Sequence, residues 1–118
     1  GAEIVNDTSI PQPVKLTIFG PCAQPYVIIG NNRYEVDVTV PSGSRLEIDG
    51  TGDVRTVTMV SGTGLATNCF AQAVRGSGKD SGRYVFQPLA PGTQSVSWPG
   101  GFQFDLTVCE ERSEPPWT

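Results

Sequence analysis

Glycine and proline interrupt this chain so often that a fold built on long helices is excluded. The 118 residues include 14 glycines and 10 prolines, and clusters of these turn-forming residues recur about every ten residues. Between the clusters, apolar and polar residues alternate, which is the pattern of strands with one buried face. The sequence therefore predicts an all-β protein.

The clearest alternation lies between Arg33 and Val40, where every second residue is Tyr or Val. Short strands at this spacing, with no helix between them, are typical of a two-sheet antiparallel β-sandwich of jelly-roll topology. We expect it to span residues 1–118 as a single domain. The further predicted strands cover residues 14–19, 45–49, 54–61, 84–86, 96–98 and 102–109, whereas residues 64–74 fit either a short helix or an irregular strand and loop.

The apolar positions of the alternating segments predict the hydrophobic core. Trp98 is assigned to this core because it lies in phase with Val96 on a short strand. The full predicted core consists of Tyr34, Val36, Val38, Leu46, Ile48, Val96, Trp98, Phe102, Phe104 and Leu106.

Charge and histidine content exclude several classes of function. The net charge is −4 and the isoelectric point is near 4.6, which argues against nucleic acid as a partner. The chain has no histidine, so the commonest general base and transition-metal ligand are missing. We expect no enzymatic activity and no cofactor.

The three cysteines, Cys22, Cys69 and Cys109, are widely spaced and form no CxxC pair. This pattern favours free thiols in a reducing compartment, and one disulfide plus one free thiol is the alternative. No signal peptide and no membrane-spanning apolar run is visible. Because Gly1 is typical of a residue left by tag removal, we expect a domain cut from a longer protein.

Paired carboxylates could act in glycoside hydrolysis or in calcium binding. The simpler interpretation, which we favour, is that they are ordinary solvent-exposed residues. Glu35 with Asp37, and Glu47 with Asp49, lie two residues apart, which places each pair about 6–7 Å apart on one strand face. That separation is near that of glycosidase carboxylates. Asp49 and Asp53 flank a loop whose oxygens would suit calcium. Acidic residues on the outer faces of half-buried strands explain all of them more simply.

Aromatic residues are the candidate contacts with a ligand or a partner protein. Tyr26, Tyr84 and Trp117 are the three we select, because they lie outside the clearest core positions. Exposed rings of this kind stack on sugars or dock against a neighbouring subunit.

Several turn motifs occur in a characteristic order. Residues 16–25 read LTIFGPCAQP, residues 32–34 read NRY, residues 41–49 read PSGSRLEID and residues 89–96 read LAPGTQSV. Together they resemble the C-terminal domain of phage distal tail proteins and related minor tail proteins of long-tailed phages. That family shows I-x-G-P-x-x-x-P, then L-x-I-D, then L-x-P-G-x-N-x-I. Gln94 and Val96 depart from the last motif.

The resemblance implies a galectin-like or carbohydrate-module-like sandwich attached to a ring-forming N-terminal domain. It implies a structural module of the tail tip in a phage or prophage, with other tail or baseplate proteins as partners. The module would reside in the virion tail, and in the host cytoplasm during assembly. By itself it would be a monomer, with a hexameric ring in the full-length protein. The alternative function is a carbohydrate-binding module for host-surface glycans.

Overall fold

The computed structural model describes residues 2–108, and within them the chain forms antiparallel β-sheets with a single short 3₁₀ helix. The helix covers Phe70–Gln72. The strands in chain order are β1 Ala2–Asn6, β2 Val14–Phe19, β3 Cys22–Ala23, β4 Tyr26–Ile29, β5 Asn32–Glu35, β6 Thr39–Val40, β7 Arg45–Asp49, β8 Thr56–Val60, β9 Ala66–Asn68, β10 Gly92–Ser97 and β11 Gln103–Val108.

The strands form two larger sheets and one small one. The four-stranded sheet has the order β1-β10-β4-β5, the five-stranded sheet has the order β11-β2-β7-β8-β9, and β3 pairs with β6. Every pairing is antiparallel. The prediction of an all-β, antiparallel protein is confirmed. No helix among residues 2–108 is long and apolar enough to cross a membrane.

Both larger sheets contribute side chains to one hydrophobic core. In β2 the alternation is complete, because Val14, Leu16 and Ile18 are buried and the residues between them are half-buried. The predicted core residues that the structure buries are Tyr34, Val36, Leu46, Ile48 and Val96. Val38, Phe102, Phe104 and Leu106 are only partly buried against the core.

The long strand predicted for residues 33–40 is divided by a bulge. Tyr26 pairs with Glu35, whereas Ala23 pairs with Thr39, so two residues on one strand lie opposite three on the other. An extra residue of this kind bends a strand and separates two stretches of regular pairing. Inside the bulge, the Asp37 backbone N–H donates to the carbonyl oxygen of Gln72 at 2.9 Å.

Three other expectations are corrected or resolved. A strand that the alternation did not predict, β1, pairs with β10 over five residues. The segment 84–86 is not a strand, and the Val85 N–H instead donates to the Val74 carbonyl from a turn. The ambiguous segment 64–74 contains β9 followed by the 3₁₀ helix.

A buried asparagine fastens the end of β1 to the rest of the molecule. The Asn6 side chain is 1% exposed, and its Nδ2 donates to the carbonyl oxygens of Ile10 and Leu89, each at 2.9 Å. Its Oδ1 accepts hydrogen bonds from the N–H and hydroxyl groups of Thr8. Every polar atom of this side chain is therefore engaged, as burial requires.

Candidate binding surface

An open cleft lies where the loop after β10 meets the start of β11. Its volume is about 330 Å³, and it is lined by Phe19, Trp98, Phe102, Gln103, Phe104 and Asp105. Within residues 2–108, the strand β11 is at the edge of its sheet and pairs only with β2. Because no described strand covers its other side, rings that would be enclosed in a central strand remain accessible here.

Trp98 is the most exposed ring described in this cleft, which contradicts its assignment to the core. Its exposure is 40%, and its ring meets that of Phe104 edge to face, with centroids 4.8 Å apart and planes at 80°. Strand β10 ends at Ser97, so the alternation that buries Val96 stops one residue before the tryptophan. The following Gly100 and Gly101 have φ of +87° and +82°, which turns the chain toward β11.

The aromatic residues in the cleft support one another. Phe104 pairs with Ile18 of β2 and lies half-buried above the core, while Phe102 lies 6.4 Å from it, centroid to centroid. Trp98 therefore rests on a ring that is itself fixed by the sheet. Such a platform loses little conformational freedom when a ligand binds.

Polar side chains line the remaining part of the cleft. Gln103 and Asp105 are exposed and alternate with Phe104 along β11, and their strand partners are Phe19 and Thr17. Neither polar side chain makes a hydrogen bond or ion pair with residues 2–108. The cleft therefore combines aromatic rings with an amide and a carboxylate that have no hydrogen-bond or ion-pair partner within residues 2–108.

A second, smaller cleft of about 230 Å³ lies beside the β4–β5 turn. Several of its polar groups already bond to each other. Tyr34 Oη donates to the Gln87 carbonyl at 2.6 Å, and Gln87 Nε2 donates to Asp80 Oδ1 at 2.8 Å. Burial raises the pKa of Tyr34 and outweighs the opposing effect of Asn32. These contacts hold the loop in place and leave fewer groups for a ligand.

Two of the residues predicted as ligand or partner contacts, Tyr26 and Tyr84, each pack against another side chain of the protein. Tyr26 is half-buried, and the Arg33 guanidinium lies 3.7 Å from the centroid of its ring. Tyr84 is half-buried and packs edge to face against Phe86 at 5.9 Å. Trp117 lies outside the described residues. The sequence signal that marks the observed cleft is a tryptophan directly before Pro-Gly-Gly, which places it at the end of a strand.

The carboxylates proposed as a glycosidase pair are held by separate partners. Glu35 Oε1 lies 2.9 Å from Arg33 Nε and 3.8 Å from a terminal nitrogen of Arg83. The first contact is an ion pair without hydrogen-bond geometry. Asp37 accepts a hydrogen bond from Gln24 Nε2 at 2.8 Å. Each carboxylate is thus engaged in a contact within the protein.

The second carboxylate pair has similar structural roles. Glu47 accepts a hydrogen bond from Arg45 Nε at 2.7 Å, and Asp49 accepts from the backbone N–H and the hydroxyl of Thr51. Partial burial acts to raise the pKa of Asp49, but these hydrogen bonds and the charge of Lys15 outweigh it and the pKa is lowered. Within residues 2–108, no three His, Cys, Asp or Glu side chains cluster as metal ligands.

Substituting Thr51 by valine should raise the pKa of Asp49 toward its usual value, because one donor to the carboxylate is lost. In the wild type, the stabilisation from Asp49 is present above its unfolded-state pKa of about 3.9. It is lost as the pH falls through the lower folded-state pKa. The stability change should be small, since the carboxylate is largely solvated. Carboxyl carbon NMR titration measures this, with Thr58→Val as the control, and an unchanged Asp49 pKa would refute it.

Two cysteines lie within the described residues, and both are free thiols. Cys69 is buried in the core, and burial raises the pKa of the half-buried Cys22 thiol. A raised pKa lowers the fraction of reactive thiolate at neutral pH. Cys109 lies outside the described residues.

Comparison of the chain with protein-family models, with curated proteins and with solved structures finds no significant match in any of the three.

Proposed function

We propose that this chain is a non-catalytic structural module of a phage or prophage tail tip, which joins other tail or baseplate proteins. The proposal includes the finer architecture, in which the two larger sheets face each other as a jelly-roll sandwich of galectin-like or carbohydrate-module-like shape. The module would be part of the virion tail and would assemble in the host cytoplasm.

The observation that carries the proposal is the contact between two of the turn motifs on which the resemblance depends. The Gly20 N–H, in the LTIFGP motif, donates to the carbonyl oxygen of Ser44 in the PSGSRLEID motif at 3.0 Å. A methyl group at Gly20 would lie 2.1 Å from the Pro41 carbonyl oxygen. The two motifs are thus in direct contact, which supports treating them as one structural unit rather than as independent turns.

Exposed apolar side chains supply surface for assembly contacts. Val5 is 57% exposed on the edge strand β1, and Ile10 is 55% exposed in the loop that follows. Apolar residues beside an unpaired strand edge favour association with another protein. The four paired carboxylates, by contrast, have partners within the protein, which supports a non-catalytic role: Glu35, Asp37, Glu47 and Asp49.

Antibodies against the chain should label the distal end of tails in phage particles induced from the source organism. Immunogold electron microscopy measures this, and serum depleted with the purified chain is the control. Intact tailed particles without label at the tip would contradict the proposal. In light scattering the isolated chain should be a monomer, and a tight hexamer would show that another domain is not required for the ring.

A carbohydrate-binding module is the second candidate, and the exposure of Trp98 favours it. A solvent-accessible tryptophan supported from behind by a second ring is a common platform for a sugar face. The two candidates differ in their partner. Tail-tip labelling tests the first and a saccharide titration tests the second, so the results are independent.

A further inference from the structure

We propose that the cleft lined by Trp98, Gln103 and Asp105 is a subsite for one neutral pyranose unit of a host-surface polysaccharide. This inference rests on the second candidate function and does not depend on the tail-tip assignment. It places the binding site away from Tyr26 and Tyr84, the rings that the sequence favoured.

The charge of the side chains that line the cleft restricts the charge of a ligand that can bind there. Among residues 2–108, the lining of the cleft includes one carboxylate, Asp105, and neither lysine nor arginine. An anionic ligand such as a phosphate or an acidic sugar would meet repulsion without a compensating cation. The remaining choices are a neutral ligand and a cationic one.

The polar groups favour the neutral sugar. Gln103 offers both an amide donor and a carbonyl acceptor, whereas Asp105 offers acceptors only. An ammonium group carries donors alone, so it would engage the Asp105 carboxylate and the amide oxygen but not the amide N–H₂. Sugar hydroxyls both donate and accept, so they satisfy both side chains. Gln103 and Asp105 lie two residues apart on one strand face, about 7 Å from each other, and Phe104 points to the opposite face of β11. A sugar ring that contacts these polar groups and the Trp98 indole must therefore reach across the edge of β11.

The rings supply the remaining contact. Trp98 is 40% exposed and is supported by Phe104 at 4.8 Å between centroids. Stacking of the apolar C–H face of a pyranose on the indole would remove that surface from water. The cleft volume of about 330 Å³ is near the lower limit for small-molecule sites.

The test uses the complete chain, labelled with ¹⁵N, and four probes: methyl β-glucoside, methyl β-galactoside, methyl α-rhamnoside and N-acetylglucosamine. We expect at least one probe to shift the amide resonances of residues 98–105 and the indole N–H of Trp98. Trp98→Ala should then weaken binding about tenfold, and Asp105→Asn about as much. Tyr26→Ala removes a ring outside the cleft and Asp53→Asn removes a distant carboxylate, so both controls should bind like the wild type.

Three results would overturn the inference: no shift near the cleft with any probe, shifts confined to another surface, or full affinity in Asp105→Asn and Gln103→Ala. Those two polar side chains are exposed on β11, so their variants test the site even if Trp98→Ala does not fold. Loss of binding to tail or baseplate proteins in Trp98→Ala, without sugar binding by the wild type, would assign the cleft to a protein partner. That result would leave the tail-tip function standing.

Discussion

Replacing Gly20 with alanine should lower the free energy of unfolding by about 3 kcal/mol or more, one of the largest effects of any single methyl group in this chain. The added Cβ would lie 2.1 Å from the Pro41 carbonyl oxygen and 2.6 Å from that of Val40. Both atoms belong to backbone, which a rotamer change cannot move. The chain must therefore shift where β2 ends and β6 leads into the next turn.

That shift of the backbone would break hydrogen bonds in both of the turns that meet at Gly20. The Gly20 N–H donates to the Ser44 carbonyl, and the Ser44 N–H donates to the Pro41 carbonyl, each at 3.0 Å. Ser44 is buried, so a displaced turn would leave polar groups without partners as well as straining the backbone. The cost of the alanine variant thus includes both steric and hydrogen-bonding losses.

Urea unfolding followed by circular dichroism measures the Gly20→Ala effect, and Gly52→Ala is the matched control. A Cβ at Gly52 would meet its nearest described neighbour, the Val54 carbonyl oxygen, at 3.5 Å, an ordinary contact. The control should therefore change stability by less than about 1 kcal/mol. Equal stability of the two variants would show that the close approach between these two turns is not maintained in solution.

Local alternation correctly predicted the strands β2 and β7. In β2 and β7, each apolar residue that the period of two selects is buried. The signal works because one face of a strand packs against the core and the other meets water, whatever the order of the strands. Alternation therefore predicts which residues belong to the core better than it predicts which strands are neighbours in a sheet.

The predictions were wrong where the structure of a segment depends on the strand beside it. Trp98 continues the phase of Val96, but the strand ends between them, and β11 lies at a sheet edge. The bulge that divides residues 33–40 depends on the register of the opposing strand, which alternation in one segment does not encode. The candidate cleft forms at the edge strand β11. Its rings Trp98, Phe102 and Phe104 were therefore selected from the sequence as apolar positions, but they were assigned to the core.

Asn6 shows that local sequence also fails to predict the burial of a polar residue. In the sequence it precedes Asp7 and Thr8 and is typical of a surface turn. Its burial depends on Leu89, which is 83 residues away along the chain. No local sequence pattern predicts a contact between residues so far apart along the chain. The alternation does not predict β1 for the same reason, because the strand that pairs with it is β10.

Substituting Asn6 by aspartate should destabilise the protein by about 3 kcal/mol or more at neutral pH, although the side chain keeps its shape. The amide nitrogen that donates to the Ile10 and Leu89 carbonyls at 2.9 Å becomes an oxygen facing two oxygens. Burial and these carbonyls raise the pKa of the introduced carboxyl in the folded state. Protonation restores one donor, so the loss should be smaller in acid.

The pH dependence distinguishes this charge effect from simple loss of hydrogen bonds. Between the unfolded-state pKa of about 4 and the raised folded-state pKa, the native Asn6→Asp protein binds more protons than its unfolded chain. Its free energy of unfolding, relative to wild type, should therefore fall as pH rises through that interval. Asn6→Ala also loses the hydrogen bonds but adds no titrating group, so its deficit of about 2 kcal/mol should be independent of pH. Urea unfolding from about pH 4 to pH 8 compares the three proteins. A pH-independent deficit in Asn6→Asp would mean that the introduced carboxylate reaches water, and hence that the turn after β1 opens without unfolding the core.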